Sequence, residues 1–243
     1  MVIFLIKTNL LENLVNLMDK ENILFVIPAR SGSKGLPNKN VFVWKDKPLT
    51  MHSYDYLINQ NINPQKIDIT TDSEEYSEIF IKYGVRRESI LLRPSCLAED
   101  NVVDYPVILH AWSYMENINK EKYQFITLIR PTSPIRPKNL IERGINLIKE
   151  NKEFTSIRAM RSVKEHPNRI WVKEDKIAKP IIQNINEPGN IPRQFLPKEY
   201  YYQSGELEIV RRNTLQMGSI SGDNVGILEI YDDYPDIDSK NDF

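Results

Sequence analysis

Apolar and polar positions alternate along this chain in two different ways. Short apolar runs rich in Ile, Leu and Val, beginning with ILFVIP at 23–28, are separated by longer segments with apolar residues at helical spacing, as at 49–60. Strands that alternate with amphipathic helices are typical of βαβ units around a mostly parallel sheet. The pattern therefore predicts a doubly wound α/β sandwich for the first 150 residues.

Several predicted elements carry residues that mark their ends. Ser73 is a candidate N-cap for a helix at 73–84, and Gly84 can end that helix because glycine adopts positive φ at little cost. The predicted strands lie at 23–28, 66–72, 88–94 and 124–131, and the predicted helices lie at 49–60, 73–84, 104–118 and 138–152.

The pattern changes after about residue 154. Apolar runs become shorter, and the extended YYYQSGELEIV follows a proline-rich stretch. The prolines are Pro167, Pro180, Pro188, Pro192 and Pro197. Because proline is confined to strand edges, bulges and loops, we interpret residues 160–203 as a small inserted lobe of irregular strands, after which the sheet resumes.

The first 22 residues do not fit this organisation. Their apolar run is interrupted by Lys7, Asn9 and Glu12, so it is too broken to span a bilayer, which takes about 20 apolar residues. A basic leader and a small-residue cleavage site, which a signal peptide needs, are also missing. Met18 would make a natural start, so we treat residues 1–22 as an extension that need not be native and residues 23–243 as the domain.

Composition limits the partners and the compartment. The 243 residues are 41% hydrophobic and 27% charged, enough to bury the core of one large domain. A formal net charge of −1 gives no general attraction to nucleic acid or to anionic membranes, so neither is expected as a partner. The single cysteine, Cys96, excludes an intrachain disulfide and fits a cytoplasmic location, and we expect it to be a small buried hydrophobe.

A basic turn follows the first predicted strand. In PARSGSKGLPNKN, the small residues at 31–33 and Gly35 let the backbone approach a ligand, and Arg30, Lys34 and Lys39 can donate to anionic oxygens. Ligands of parallel sheets lie beyond the carboxyl ends of the strands, where this turn should be. The turn therefore predicts a polyphosphate site. It matches neither GxxxxGK[ST] nor GxGxxG, which argues against a P-loop and a dinucleotide-binding dehydrogenase.

A pair of carboxylates lies near the other end of the chain. Asp236 and Asp238 are two residues apart in DDYPDIDSKNDF, and on an extended segment side chains at i and i+2 point the same way. Two carboxylates on one face can share a hard cation such as Mg²⁺, the usual companion of a polyphosphate. The pair therefore predicts that a metal and a polyphosphate share one site.

Five motifs in one order resemble the acylneuraminate cytidylyltransferase family, over residues 23–243. PARSGSKGLPNKN is similar to the family's PARGGSKG(I/L)xxKN, ITTDSEE to STDSEE, LRPSCLAED to LRPxxLAxD, RPTSPIR to QPTSPLR and DIDSKNDF to DIDTxxDF. The resemblance implies a Rossmann-like nucleotidyltransferase sandwich with a mostly parallel sheet and a small inserted dimerisation lobe, which in a homodimer reaches across to the partner's active site.

The resemblance also implies an activity and its residues. CMP would pass from CTP to the anomeric hydroxyl of a 2-keto sugar acid, a sialic acid-like nonulosonate, with release of pyrophosphate. The implied catalytic residues are Arg30, Lys34, Lys39, Asp236 and Asp238, of which the two aspartates would bind Mg²⁺. The implied nucleotide-binding residues are Ala29, Arg30, Ser31, Ser33, Lys34, Lys39, Asn40, Arg93 and Asp104. The implied sugar-binding residues are Arg130, Thr132, Ser133, His166, Arg193, Gln203, Ser204 and Glu206.

Departures from the family pattern fall in the sugar site. Arg130 stands where sialate enzymes have glutamine, Ser204 replaces an asparagine, and Glu206 and Glu208 replace alanine and tyrosine. A different acidic sugar would explain these changes, because arginine pairs with carboxylates and glutamates suit amino or hydroxyl groups. Alternatively, the glutamates pair with Arg130 or Arg193 inside the protein.

Other functions remain open at this point. The chain could transfer another nucleotide to another sugar or sugar phosphate, although PARSGSKGLPNKN does not match the GxGTRLxPxT of enzymes that resemble glucose-1-phosphate thymidylyltransferase. It could also be a catalytically inactive paralogue that binds nucleotide. His166 has two interpretations, a sugar-pocket residue or a structural one.

Overall fold

The computed structural model describes residues 22–183, 187, 189–196 and 199–242, and within them the side chains of Arg193 and Lys240 are outside the description. Residues 1–21 of the predicted extension therefore lie outside the described residues, as do Pro188 and Pro197 of the predicted lobe.

The described chain forms a mixed set of strands and helices. The strands are β1 (Ile23–Pro28), β2 (Val43–Trp44), β3 (Lys47–Pro48), β4 (Ile67–Thr71), β5 (Ile90–Leu92), β6 (Phe125–Leu128), β7 (Ser156–Ser162), β8 (Trp171–Glu174), β9 (Ile177–Pro180), β10 (Tyr201–Arg211) and β11 (Val225–Glu229). The α-helices are α1 (Leu49–Asn59), α2 (Glu74–Lys82), α3 (Asp104–Asn119), α4 (Leu140–Glu150) and α5 (Arg212–Gln216). Short 3₁₀ helices cover Lys39–Val41, Pro64–Lys66, Arg87–Ser89, Ser95–Leu97, Pro167–Arg169, Arg193–Phe195 and Lys240–Asp242.

Seven of these strands form one mostly parallel sheet in the order β11-β7-β10-β6-β1-β4-β5. Strand β10 runs antiparallel to both of its neighbours, β6 and β7, whereas β1 is parallel to β4 and to β6. The chain continues from β1 to β4 on one side and later to β6 on the other. Such a reversal of strand order opens a crevice at the carboxyl ends of the strands.

Helices cover both faces of the sheet, which confirms the predicted α/β sandwich. Along β1 the buried side chains alternate, with Phe25 and Ile27 facing the cluster packed by α1, α2 and α4, and Leu24 and Val26 facing the cluster packed by α3 and α5. A strand buried on both faces is apolar at every position, as ILFVIP is. Each such side chain stabilises the fold by roughly 1.5–3 kcal/mol relative to an exposed one.

Most predicted boundaries agree with the structure to within about two residues, which is the usual uncertainty in assigning where a helix ends. The Ser73 hydroxyl accepts from the amide of Tyr76 at 3.2 Å and caps α2, and Gly84 has φ +90° just beyond the helix. The strand predicted at 88–94 is shorter, because a 3₁₀ turn precedes Ile90 and the following Pro94 has no amide to extend the ladder.

The lobe begins and ends differently from the predicted range of 160–203. Met160–Ser162 pair with Tyr201–Gln203 and so extend the main sheet through β7 and β10. The excursion lies between these strands and contains the hairpin of β8 and β9. Large apolar side chains are exposed there, among them Ile177 and Phe195.

Cys96 corrects one expectation from the sequence. Its side chain is exposed in a short 3₁₀ helix after β5, together with its neighbours Pro94 and Ser95, so the prediction of a buried small hydrophobe is wrong. The amide of Arg93 donates to the Thr71 carbonyl, and the segment leaves the sheet after this residue.

The longest α-helix of the described residues is α3, with 16 residues. Across the described ranges we find no helix with both the length and the apolar character needed to cross a bilayer.

Candidate active site

A cavity of about 480 Å³ opens at the carboxyl ends of the parallel strands. It is bordered by Pro28 at the end of β1 and Arg30 just after it, by Arg93 after β5, and by Arg130 and Thr132 after β6. Its volume falls within the usual range for small-molecule sites, which is roughly 300–1,000 Å³. The cavity therefore lies at the reversal of strand order, where the fold favours a ligand.

Hydrogen bonds that do not involve the cationic groups of the basic turn hold its backbone in place. Asp72, just after β4, accepts from the Ser31 amide at 2.8 Å and from the Ser31 hydroxyl at 2.7 Å. The Asn40 amide group donates to the Arg30 carbonyl at 2.8 Å, and the Ala29 amide donates to Thr70. Burial alone would raise the pKa of Asp72, but the hydrogen bonds from Ser31 hold it below its usual value. The turn is therefore preorganised.

Three cations of the turn reach the cavity, and each pairs with a carboxylate. Arg30 donates to Asp100 at 3.0 Å, and Lys34 approaches the other oxygen of Asp100 at 2.7 Å. The hydrogen bond from Lys34, with a smaller contribution from Arg30, lowers the pKa of Asp100. Lys39 pairs with Asp238 at 2.6 Å, and the smaller residue Ser33 lines the cavity between them. These cations can exchange carboxylate oxygens for phosphate oxygens.

The acid pair is held in place by the residue between its members. Ile237 is fully buried, and its amide donates to the Thr132 carbonyl at 2.7 Å. The segment is not one of the strands assigned in the described chain, and this backbone hydrogen bond docks it beside the residues that follow β6. Asp238 lines the cavity, and Asp236 accepts from the Ser133 hydroxyl at 3.5 Å.

The two charged clusters converge, although 199 residues separate Lys39 from Asp238. Gly35 shows how close the turn and the tail come, because a Cβ atom at that position would be 2.8 Å from the Asp238 carbonyl oxygen. Any larger residue would push the acid pair away from the turn. The structure thus brings together the two clusters that the sequence singled out.

The donor set of the acid pair fits Mg²⁺. Burial, with a smaller contribution from the neighbouring charge of Asp238, raises the pKa of Asp236, because a second negative charge is unfavourable there; a divalent cation would offset that cost. No group of three or more His, Cys, Asp or Glu side chains suited to a metal occurs among the described residues. Two carboxylates with phosphate and water oxygens are the set in which proteins commonly hold Mg²⁺.

Arg93 and Asp104 lie on the wall of the cavity. Arg93 is 6% exposed, and burial lowers the pKa of its guanidinium, which nearby Asp72 partly offsets. Asp104 begins α3 and accepts from Arg130 at 2.5 Å. Their predicted role in binding nucleotide stays a prediction, since the structure gives their place and not their ligand.

Arg130 is engaged within the protein. Its Nε donates to Glu208 at 2.9 Å, and its Nη2 contacts both Asp104 and Glu208. Arg158 approaches the second oxygen of Glu208 at 3.3 Å. The interpretation in which a new glutamate pairs with Arg130 therefore describes Glu208. Glu206 pairs instead with Arg161.

The other predicted sugar residues have three different locations. Thr132 lines the cavity, whereas Ser133, Ser204 and Glu206 are buried, and a Cβ atom on Gly205 would be 3.3 Å from the Ser133 hydroxyl oxygen. The Gln203 amide oxygen accepts from Arg158. The side chain of Arg193 lies outside the described residues.

His166 is not brought to this cavity within the chain. It lines a second cavity of about 680 Å³ together with Arg169 and Glu199. Its ring packs edge-on against Tyr200 at 4.7 Å, and its Nδ1 accepts from the Asn168 amide at 3.2 Å. These contacts give His166 a structural role in the lobe, and its sugar-site role stays a prediction.

Three residues of the site were missed by sequence reasoning. Asp72 and Asp100 stood inside the quoted motifs ITTDSEE and LRPSCLAED, yet their partners are 41 and 70 residues away. Arg136 is buried and donates to the carbonyls of Glu206 and Arg130. Burial lowers its pKa to about 10. Arg136 also stood in a quoted motif, RPTSPIR, but its burial and its bonds to these two carbonyls are visible only in the structure.

Comparison with known proteins decides the family. The sequence profile described as Cytidylyltransferase matches residues 24–170, which is more than half of the chain. The chain belongs to the cytidylyltransferase family.

Individual relatives show how far this likeness extends. An N-acylneuraminate cytidylyltransferase of Escherichia coli O18:K1:H7 is 35% identical over 138 residues, which are 57% of this chain and 31% of the relative. The post-translational flagellin modification protein B of Campylobacter coli is 32% identical over 227 residues, 91% of this chain and 92% of the relative. The chain thus spans under a third of the first relative and nearly all of the second.

A solved structure shares the fold of the cytidylyltransferase chain. It is a CMP:2-keto-3-deoxy-manno-octonic acid synthetase complexed with CTP, which superposes with a TM-score of 0.61 over 90% of this chain and 94% of that one. The identity is 15%, so the likeness supports the Rossmann-like fold alone.

Proposed function

We propose that the protein transfers CMP from CTP to the anomeric hydroxyl of a 2-keto sugar acid of the sialic acid-like nonulosonate class, with release of pyrophosphate. The observation that carries this proposal is the 2.6 Å contact between Lys39 of the basic turn and Asp238 of the acid pair. It joins a phosphate-binding turn to a carboxylate pair in one cavity. Membership of the cytidylyltransferase family supports the choice of CTP.

The side chains have distinct tasks in this reaction. Arg30, Lys34 and Lys39 bind the phosphate oxygens of CTP and stabilise the charge that develops as pyrophosphate leaves. Their present partners, Asp100 and Asp238, are exposed enough to separate from them as the nucleotide enters. The turn is already fixed by Asp72 and Asn40, so little ordering is needed.

Asp236 and Asp238 hold Mg²⁺ in this proposal. When bound there, the metal supplies Lewis-acid polarisation of phosphate oxygens and neutralises part of their charge. Ile237 keeps the two carboxylates at the cavity by its burial and its hydrogen bond to Thr132. Asp236 and Asp238 would hold the metal beside the basic turn, and Lys39, once it has left Asp238, would bind the same phosphates.

The sugar binds along the wall that contains Arg130, Thr132 and Ser133. Because Arg130 already contacts Asp104 and Glu208, it acts on the sugar as part of a network and not as a free receptor for the sugar carboxylate. This wall differs from the glutamine-containing pattern of sialate enzymes. We therefore place the acceptor among nonulosonates other than the common sialic acid.

The protein acts as a homodimer in the cytoplasm in this proposal. The hairpin of β8 and β9 exposes Trp171, Val172 and Ile177, and an exposed apolar hairpin fits burial against a second copy of the chain. An exposed Cys96 thiol fits a reducing compartment. Size-exclusion chromatography with light scattering measures the dimer, and a monomer at micromolar concentration contradicts it.

Pyrophosphate release tests the activity. The protein is incubated with MgCl₂, each of the four nucleoside triphosphates and a panel of 2-keto sugar acids, with glucose 1-phosphate as a control acceptor. We expect release only with CTP and a 2-keto acid. Release with another triphosphate or with the sugar phosphate would identify a different nucleotidyltransferase, and binding of CTP without release under all conditions would identify a nucleotide-binding paralogue.

A further inference from the structure

Glu206 is a buried carboxylate that the proposed reaction does not use. Its side chain is 1% exposed, and Oε1 accepts from Arg161. Its other oxygen, Oε2, has no hydrogen-bond partner within the described chain. A buried charge is costly unless it is paired, so the contact with Arg161 is one that the folded protein keeps.

An irregularity in β10 buries this carboxylate. Gln203 of β10 pairs with Met160 of β7, and the next pair is Glu208 with Arg158. Four residues of β10, 204–207, therefore lie opposite the single residue 159 of β7. Gly205, with φ +84°, is in the middle of this bulge. Bulges re-aim side chains near active sites, and this one turns Glu206 into the protein.

Arg161 connects Glu206 to the tail that carries the acid pair. Its Nη1 donates to the Tyr234 carbonyl at 3.2 Å and lies 3.6 Å from a carboxylate oxygen of Asp233. Its guanidinium also lies 5.9 Å from the ring of Tyr234. The tail is thus held two residues before Asp236 by Arg161, and after Asp236 by the Ile237 amide on Thr132.

We infer that Glu206, acting through Arg161, is a positioning residue that sets the place of the Asp236–Asp238 segment at the cavity. Glu206 orients one edge of the guanidinium, and the other edge holds the tail. The inference deepens the proposed function and rests on it only where metal affinity is concerned. Second-layer partners of this kind typically change metal affinity by about 10- to 100-fold.

Hydrogen–deuterium exchange tests the positional part without substrate or metal. In Glu206→Gln the side chain keeps its size and loses its charge, so Arg161 is held less firmly. We expect the amides of Tyr234, Asp236, Ile237 and Asp238 to exchange about tenfold faster than in the wild type. The matched control is Glu116→Gln, which removes a carboxylate from the Arg212 ion pair at the far end of α3.

Binding of Mn²⁺ in the presence of CTP, without sugar acid, tests the functional part by electron paramagnetic resonance of the free ion. We expect Glu206→Gln to weaken Mn²⁺ binding by about tenfold and Glu116→Gln to leave it unchanged. Arg161→Lys keeps the positive charge but cannot contact Glu206 and the tail at once, so it should behave like Glu206→Gln.

The outcomes separate the two proposals. Faster tail exchange in Glu206→Gln and Arg161→Lys, with normal tail exchange in Glu116→Gln, supports the inference. Unchanged tail exchange in both site variants overturns it, as does faster exchange spread evenly over the whole chain. If Asp238→Ala binds Mn²⁺ as tightly as the wild type, the metal assignment of the proposed function fails, and tail exchange alone decides the role of Glu206.

Discussion

Ion pairs at the rim of the cavity differ in exposure from those at its floor. The rim pairs are Arg30–Asp100, Lys34–Asp100 and Lys39–Asp238, and the floor pairs are Arg130–Glu208, Arg158–Glu208 and Arg161–Glu206. The rim carboxylates Asp100 and Asp238 are 45% and 66% exposed, whereas the floor glutamates are at most 5% exposed.

This difference indicates different tasks. Exposed pairs contribute little to stability, about 0–1 kcal/mol, so a rim cation can leave its carboxylate for a phosphate oxygen. A floor pair cannot separate so easily, because removing one partner leaves an uncompensated buried charge. We therefore assign substrate binding to the rim and the positioning of the rim to the floor.

The largest expected effect comes from removing a rim carboxylate. Asp238→Ala should lower turnover by at least about 10³-fold, because the developing charge on the phosphates loses its metal, while the fold remains intact. Pyrophosphate release measures the loss, and circular dichroism checks the fold. Asp232→Ala, which removes an exposed carboxylate from the same tail, is the matched control. Activity retained in Asp238→Ala would remove this residue from the metal site.

A floor substitution should act mainly on the sugar. In Arg130→Gln, Asp104 loses its Arg130 contact and Glu208 keeps only Arg158, so the sugar-facing wall changes shape and charge. We expect the preference among 2-keto acids, measured as ratios of kcat/KM, to shift by about 10- to 100-fold, with a smaller change in the KM for CTP.

The control for this substitution is Arg143→Gln, which removes an arginine that donates to the Glu229 carbonyl from α4. An unchanged sugar preference in Arg130→Gln would exclude Arg130 from the sugar site. A larger effect on CTP than on the sugar would move Arg130 to the nucleotide side of the cavity.

A partly buried ion pair outside the site, Glu116 with Arg212, should change stability and not activity. Burial alone would raise the pKa of Glu116, but hydrogen bonds from Arg212, the Tyr123 amide and Lys122 lower it to about 2. Because the folded pKa lies below the usual 4.5, this stabilisation is present above pH 4.5 and is lost as the pH falls toward 2.

We therefore expect Glu116→Gln to reduce the free energy of unfolding by about 1–2 kcal/mol at pH 7. The difference from the wild type should decrease between pH 4.5 and pH 2, as measured by urea unfolding. A constant difference across this range would mean that the carboxylate charge is not what stabilises the fold. Loss of activity at pH 7 would contradict the separation of this pair from the site.

The smallest expected effect is at an exposed rim pair. Asp100→Asn frees Arg30 and Lys34 from their carboxylate, so the KM for CTP should fall by less than about fivefold, as expected for surface ion pairs. The change should become smaller at high salt, where exposed charges are screened. An increase in KM would show that Asp100 itself contributes to nucleotide binding. Glu99→Gln, at the next position along the cavity, is the matched control.

The sequence alone was sufficient for four strands and four helices of the first 152 residues and for the place of the basic turn. Strand β1 and helices α1 to α4 follow from apolar spacing, and Ser73 and Gly84 mark the ends of α2, because these signals depend on residues close together in the chain. The turn and the pair of Asp236 with Asp238 were singled out for the same local reason, and their roles stay predictions. The two floor glutamates were noticed as departures from a family pattern, and the alternative that paired them with Arg130 or Arg193 holds for Glu208 with Arg130, whereas Glu206 pairs with Arg161.

Only the tertiary structure decided which charges meet. Asp100, Asp238 and Glu206 lie 70, 199 and 45 residues from their respective partners Arg30, Lys39 and Arg161. Such pairs depend on strand order, on register and on a bulge in β10, and none of these is encoded in a short window of sequence. Burial, which decides whether a charge can exchange its partner for a ligand, is likewise a property of the assembled layers.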